Sequence, residues 1–76
     1  MVASRQYRSR LKNRYGEAWE FEYDPVKGEG TLTGEDVDWQ AYRVVDGHAP
    51  ELILNHEEIQ WLRSAWVEAT GGRDLQ

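Results

Sequence analysis

Alternation of aromatic and acidic residues marks the first strand that the sequence predicts. Residues 18–23 read AWEFEY, with the aromatic side chains at one parity and the glutamates at the other. Successive side chains point to opposite faces of a β-strand, so this pattern predicts one buried face and one solvated face. The strand ends at Asp24-Pro25, because proline cannot donate a backbone hydrogen bond to a sheet.

Three more strands are predicted from shorter patterns. Residues 30–34 form a second strand, residues 39–45 a third and residues 51–54 a fourth, which returns after a turn at Asp46-Gly47. The third strand places Trp39 and Tyr42 on opposite faces. We expect Trp39 to lie in the core. Alternation alone does not decide whether the side chain of Trp39 or that of Tyr42 is directed toward the helix. Gly28, Gly30 and Gly34 do not have phosphate-loop spacing and are assigned to hairpin turns.

The last predicted element is an amphipathic helix. Asn55 is a favourable N-cap residue, and Glu58 three positions later completes a capping box. The buried stripe comprises Ile59, Leu62, Trp66 and Ala69. Gly71-Gly72 ends the helix. Short connections favour antiparallel pairing of consecutive strands, so the predicted fold is α+β: a three- to four-stranded β-meander with the helix packed on one face.

Charge divides the chain into a basic arm and an acidic body. Residues 1–15 carry five basic residues and no acidic ones, whereas residues 16–76 carry four basic and fourteen acidic residues. We therefore predict an N-terminal arm over 1–15, a single small domain over 16–71 and a frayed tail over 72–76. The spacing of Tyr7, Leu11 and Tyr15 predicts a short helix over 4–14. The arm has so few apolar groups that their burial would not offset the entropy cost of ordering it, which favours a flexible arm instead.

Composition excludes several kinds of chemistry. With no cysteine, the chain has no disulfide, thiolate metal site or cysteine nucleophile. No apolar run approaches the roughly 18 residues of a membrane span, and no signal peptide is evident, so we expect a cytoplasmic protein. His48 and His56 are separated by a whole predicted strand, and we expect no metal and no cofactor. The paired carboxylates of residues 20 and 22, and of residues 36 and 38, are interpreted as solvated surface. We therefore expect no enzymatic activity and no small-molecule substrate.

The remaining features favour an interaction module. Five cations of the arm and two aromatic side chains outside the clearest core positions are the candidate partner-binding residues: Arg5, Arg8, Arg10, Lys12, Arg14, Tyr42 and Trp61. Trp61 could equally fill the core, and the arm could fold back on the acidic body. We expect a small non-enzymatic protein that binds a protein partner or itself. The alternative is a small nucleic-acid-associated regulator that uses residues 1–15, although the acidic body would repel phosphates.

Overall fold

A computed structural model of the protein describes residues 7–50 and 54–71. The elements in chain order are β1 (Tyr7–Lys12), β2 (Ala18–Asp24), β3 (Glu29–Gly34), a 3-10 turn (Glu35–Val37), β4 (Gln40–Val44) and α1 (His56–Thr70). The strands form one antiparallel sheet in the order β1-β2-β3-β4, and α1 packs on one face of it. The predicted α+β meander with a C-terminal helix is confirmed.

The first strand corrects the prediction of a short helix over 4–14. Residues 7–12 pair with β2 in a continuous register from Tyr7 opposite Tyr23 to Lys12 opposite Ala18. The small number of apolar groups in residues 1–15 favoured a flexible arm, but the backbone hydrogen bonds that β2 offers to an adjacent strand also stabilise residues 7–12. Residues 1–6, with Arg5, and the tail over 72–76 lie outside the described residues.

Glycines let aromatic rings pack closely against β3. A Cβ at Gly34 would overlap the indole of Trp19, and one at Gly30 would lie 2.8 Å from the ring of Phe21. Trp19 and Phe21 are buried, as the alternating pattern of β2 predicted. The assignment of all three glycines to hairpin turns is therefore wrong for Gly30 and Gly34, which lie inside a strand. Gly28 does lie in a turn, with φ +69°.

On β4, alternation places Tyr42 and Val44 toward the helix. Val44 is buried and Tyr42 is half-buried against the core, whereas Trp39 is 53% exposed. The expectation that Trp39 belongs to the core is therefore wrong. It precedes β4 at φ 59°, after Asp38 at φ 57°, and its backbone N–H donates to the Gly34 carbonyl at 2.7 Å.

The predicted turn at Asp46-Gly47 is confirmed. Both residues have positive φ, as a two-residue hairpin turn of type I′ requires, and Val45 exchanges two backbone hydrogen bonds with His48. The predicted returning strand over 51–54 falls mostly on residues 51–53, which are outside the described residues. Leu54 has no regular secondary structure.

The helix has the boundaries that its sequence predicted, and Leu62, Trp66 and Ala69 of the predicted stripe lie in or against the core. Ile59 is only half-buried, and the prediction that it belongs to the buried stripe is wrong, because the buried face is centred on Glu58, Leu62 and Ala65 instead. The Asn55 side chain accepts from the Glu58 N–H at 2.8 Å, and Glu58 Oε1 accepts from the Asn55 N–H at 2.9 Å, so both bonds of the capping box are present. Leu62 and Trp66 are buried. The Trp66 ring meets the ring of Tyr23 edge-on at 5.3 Å. Gly71 ends the helix at φ +80°.

A buried polar cluster joins the helix to the β1–β2 hairpin. Glu58 is 2% exposed, and its second carboxylate oxygen accepts from Trp19 Nε1 at 3.0 Å and from Asn13 Nδ2. Asn13 Oδ1 in turn accepts from the backbone N–H groups of Tyr15 and Glu17. Burying a carboxylate is costly unless it is hydrogen-bonded, and here both oxygens are. The cluster therefore fixes the hairpin turn and the start of α1 relative to each other.

Candidate functional site

Three of the predicted partner-binding cations form a row on the uncovered face of the sheet. Arg8, Arg10 and Lys12 alternate along β1 with residues that face the helix, and all three are exposed. Across the register, Arg8 lies opposite Glu22, Arg10 opposite Glu20 and Lys12 opposite Ala18. The uncovered face is thus charged, with a cationic strand at its edge and an acidic strand beside it.

Ion pairing decreases steadily along this row. Arg8 Nε donates to Glu22 at 3.0 Å and lies 3.2 Å from Glu20, while Arg10 Nε is 3.9 Å from Glu20. The hydrogen bond and the charge of Glu22, followed by the charge of Glu20, raise the pKa of Arg8 above its ordinary value. Lys12 has no acidic partner among the described residues. The cationic character available to a ligand therefore grows from Arg8 toward Lys12.

The β1–β2 turn holds Arg14, the fourth of the predicted partner-binding cations that lie among the described residues. Arg14 Nε lies 3.6 Å from Glu57 Oε1 of the helix, and its guanidinium lies 5.9 Å from the centre of the Tyr15 ring. Tyr15 is 71% exposed. Arg14 is therefore directed to the helix side and does not extend the row on β1.

Tyr42 and Trp61 do not join the cations. Trp61 is half-buried, and its indole N–H donates to Ser9 Oγ at 3.0 Å, on the face of β1 that packs against the helix. The Tyr42 hydroxyl donates to Gln40 at 3.3 Å, and its ring packs against the core. Both aromatic residues contribute to packing, on the opposite side of the sheet from Arg8, Arg10 and Lys12.

The structure instead brings Trp39 to the cations. An open cleft of about 680 Å³ lies where β1 and β2 meet beside the β3–β4 corner, lined by Arg10, Leu11, Lys12, Ala18, Trp19, Glu20 and Trp39. We call this feature the Trp39 cleft. Ala18 leaves room at its floor because its side chain is short, and the exposed indole of Trp39 supplies an aromatic wall. Sequence reasoning missed this residue, although its parity with Ala41 and Arg43 assigned it to the face away from Val44.

An acidic cluster occupies the same end of the molecule. The charge of Glu17 is the main cause of a raised pKa for Asp36; loss of hydration, a hydrogen bond with Glu17 and the charges of Glu58 and Glu35 add to it. Glu17 and Asp36 therefore place negative charge between β1 and β2 and in the 3-10 turn, and the Trp39 cleft itself is lined by Glu20 as well as by Arg10 and Lys12.

Within residues 7–50 and 54–71, no group of three or more histidine, cysteine or acidic side chains is arranged to hold a metal ion. In the same residues, no helix has the length and apolar character to cross a membrane. No protein-family model, curated protein or solved structure matches the chain.

Proposed function

We propose that the protein is a small, non-enzymatic interaction module that binds a protein partner through the Trp39 cleft and the cationic face of β1. The observation that carries this proposal is the exposure of Trp39, a residue that is 53% exposed and lines a cleft together with two cations, Arg10 and Lys12. Tryptophan and arginine are enriched among the residues that dominate protein interfaces.

The backbone at the cleft supports the proposal. Asp38 and Trp39 are consecutive non-glycine residues in the left-handed region, a conformation that costs roughly 1–2 kcal/mol per residue. Such conformations persist where the surrounding structure imposes them, and they concentrate at functional sites. The bond from the Trp39 N–H to Gly34 helps hold this corner. The corner therefore presents a large apolar side chain to solvent in a fixed position.

The charge pattern favours a protein partner over a nucleic acid. A nucleic-acid footprint needs cations that are free to neutralise phosphates, and affinity depends on how many there are. Arg8 already pairs with Glu22, and Arg14 lies beside Glu57. The acidic body adds a field that repels a polyanion. A short acidic protein segment can pair with the cations that have no close acidic partner. Because it is short, it does not extend over the acidic body as a nucleic acid would.

Site-specific photocrosslinking tests the proposed function. A photoreactive aromatic side chain at position 39, which keeps a large ring there, is compared with the same side chain at position 26, because Val26 is 78% exposed in the β2–β3 turn at the other end of the sheet. We expect position 39 to crosslink one protein from native extract, and expect position 26 to give no such product. The product should survive nuclease treatment and be lost when Arg10→Ala and Lys12→Ala are combined.

Two results would contradict the proposal. Equal crosslinking from positions 39 and 26 would mean that the Trp39 cleft has no special role. A nuclease-sensitive product, with binding that falls steeply as salt is added, would support the nucleic-acid alternative instead. A cytoplasmic location, which the sequence predicts, is consistent with either partner and belongs to the same proposal.

A further inference from the structure

We infer that the outer edge of β1 binds an extended acidic segment of the protein partner as an additional β-strand. This inference rests on the proposed function and names the chemistry and the geometry of its partner. Two independent features of β1 support it: the direction of its unpaired backbone groups and the charge of the side chains beside them.

The hydrogen-bond pattern shows which backbone groups point outward. The N–H of Asn13 donates to the Glu17 carbonyl at 3.0 Å, toward β2. Backbone direction alternates along a strand, and the register of β1 against β2 is unbroken, so the N–H groups of Leu11, Ser9 and Tyr7 also point toward β2. Those of Arg8, Arg10 and Lys12 then point to the outer edge, where no described strand pairs with them.

The same three residues carry the cationic side chains. A strand added at this edge would place every second side chain next to Arg8, Arg10 or Lys12 on the uncovered face. The protein already contains the matching arrangement on the inner side, where Glu22 and Glu20 of β2 lie opposite Arg8 and Arg10. An incoming strand with acidic residues at alternate positions would reproduce that pairing and would reach Lys12, which has no acidic partner among the described residues.

Charge also argues against a second copy of this chain at the edge. Antiparallel pairing of β1 with another β1 would set arginine and lysine side chains against each other, which is unfavourable for directly opposed residues. The opposite edge strand, β4, carries Arg43 as its one basic residue and continues into a hairpin in which Val45 pairs with His48. The outer edge of β1 therefore selects an acidic strand from another protein.

Cations on an edge strand have a second known role, which the test must separate from binding. Charged side chains, lysine above all, protect exposed edges against unwanted strand pairing. If protection were their only role, an acidic strand would not bind, and removal of the charges would lead to self-association.

The test uses the intact protein and a capped heptapeptide of alternating threonine and glutamate. Binding is followed by backbone amide NMR, with a threonine–lysine peptide as the charge control. We expect saturable shifts centred on the amides of Arg8, Arg10 and Lys12, and binding of the lysine peptide weaker by at least about tenfold because like charges would be opposed.

A pair of variants at one position separates the backbone contribution from the charge. Arg10→Ala and Arg10→Pro both remove the guanidinium, but only proline removes the outward N–H, and an edge strand tolerates proline at such a position. We expect Arg10→Pro to bind the glutamate peptide about fivefold more weakly than Arg10→Ala, as the loss of one hydrogen bond implies. Thermal melts of both variants confirm that they fold.

Each alternative result would overturn the inference. Equal affinity of the two Arg10 variants would mean that the peptide binds without adding a strand. No binding of the glutamate peptide to the wild-type protein, together with self-association of Arg10→Ala, would assign the cations to edge protection. In either case, partner crosslinking from position 39 would still show whether the proposed function holds.

Discussion

At the scale of single residues, the environment of Asp36 is unfavourable to its negative charge. The nearby carboxylate of Glu17 is the main reason that the pKa of Asp36 is raised in the folded protein. An acid whose pKa is raised by folding stabilises the fold in its protonated form, and this contribution is lost as the pH rises through the folded pKa. The repulsion is therefore present at neutral pH and absent in strong acid.

Asp36→Asn tests this repulsion. We expect the substitution to raise the melting temperature at pH 7, because the uncharged amide no longer opposes Glu17. The gain should shrink as the pH falls through the raised folded pKa of Asp36 and should be absent below the ordinary pKa of aspartate, where the wild-type side chain is uncharged in both the folded and the unfolded chain. Thermal melts of both proteins across this pH range measure the effect. A gain of equal size at every pH would show that the amide acts through a new hydrogen bond.

Alanine substitutions of two glycines separate the cost of a steric overlap in the core from the cost of a left-handed backbone conformation. Gly34→Ala should destabilise the protein by about 1–3 kcal/mol, because its Cβ would overlap the buried Trp19 ring. Gly28→Ala has open space around it but a left-handed φ, so it should cost about 1–2 kcal/mol. Urea melts give both values. Near-ultraviolet circular dichroism should change only for Gly34→Ala, and an unchanged spectrum there would contradict the assigned contact.

At the scale of elements, Glu58 links the helix to the β1–β2 hairpin. Glu58→Ala should destabilise by about 2–3 kcal/mol, since it removes an acceptor from buried Trp19 and Asn13 as well as from the helix cap. Asn55→Ala removes only the local capping bond and should cost about 1 kcal/mol. Urea melts of both variants measure the difference. Equal losses would mean that the buried cluster adds nothing beyond the cap.

The pairing of β1 with β2 predicts that a chain without β1 is unstable. A fragment of residues 16–76 lacks β1 and also loses the hydrogen bonds that Trp61 donates to Ser9 and that Asn13 donates to Glu58. We expect it to show no cooperative unfolding transition at 25 °C, because the buried Glu58 carboxylate loses the Asn13 amide and the backbone groups of β2 that pair with β1 are left unpaired. Circular dichroism melts of the fragment and of the full chain test this. A fragment with the stability of the full chain would show that β1 is dispensable.

The elements also show what the sequence could and could not predict. Local patterns sufficed for β2 and α1, because strict alternation in one and a complete capping box in the other specify each element without reference to the rest of the chain. They failed for β1, whose strand conformation depends on the glutamates and backbone of β2. They also failed for Trp39, because its exposure depends on a left-handed corner that no single residue there specifies.

At the scale of the whole molecule, the four tryptophans divide into buried and accessible classes. Trp19 and Trp66 are buried and Trp61 is half-buried, so Trp39 should supply most of the fluorescence open to an aqueous quencher. Trp39→Phe should remove most of the acrylamide-accessible emission and change stability by no more than about 0.5 kcal/mol. Trp66→Phe is the matched control and should leave the accessible fraction in place. If quenching persists in Trp39→Phe, the indole is not at the surface.

The order of the strands has a kinetic consequence. Each strand pairs with its neighbour in sequence, so every described sheet contact closes a short loop, and low contact order favours rapid folding. The longest closures are the side-chain bonds from β1 to α1, such as Tyr7 to Glu68, which are 61 residues apart. A hairpin of β1 and β2 can therefore form early, while its docking on the helix completes late. Substitution of Ser9, whose hydroxyl accepts from the Trp61 indole of the helix, should then accelerate unfolding more than it slows folding.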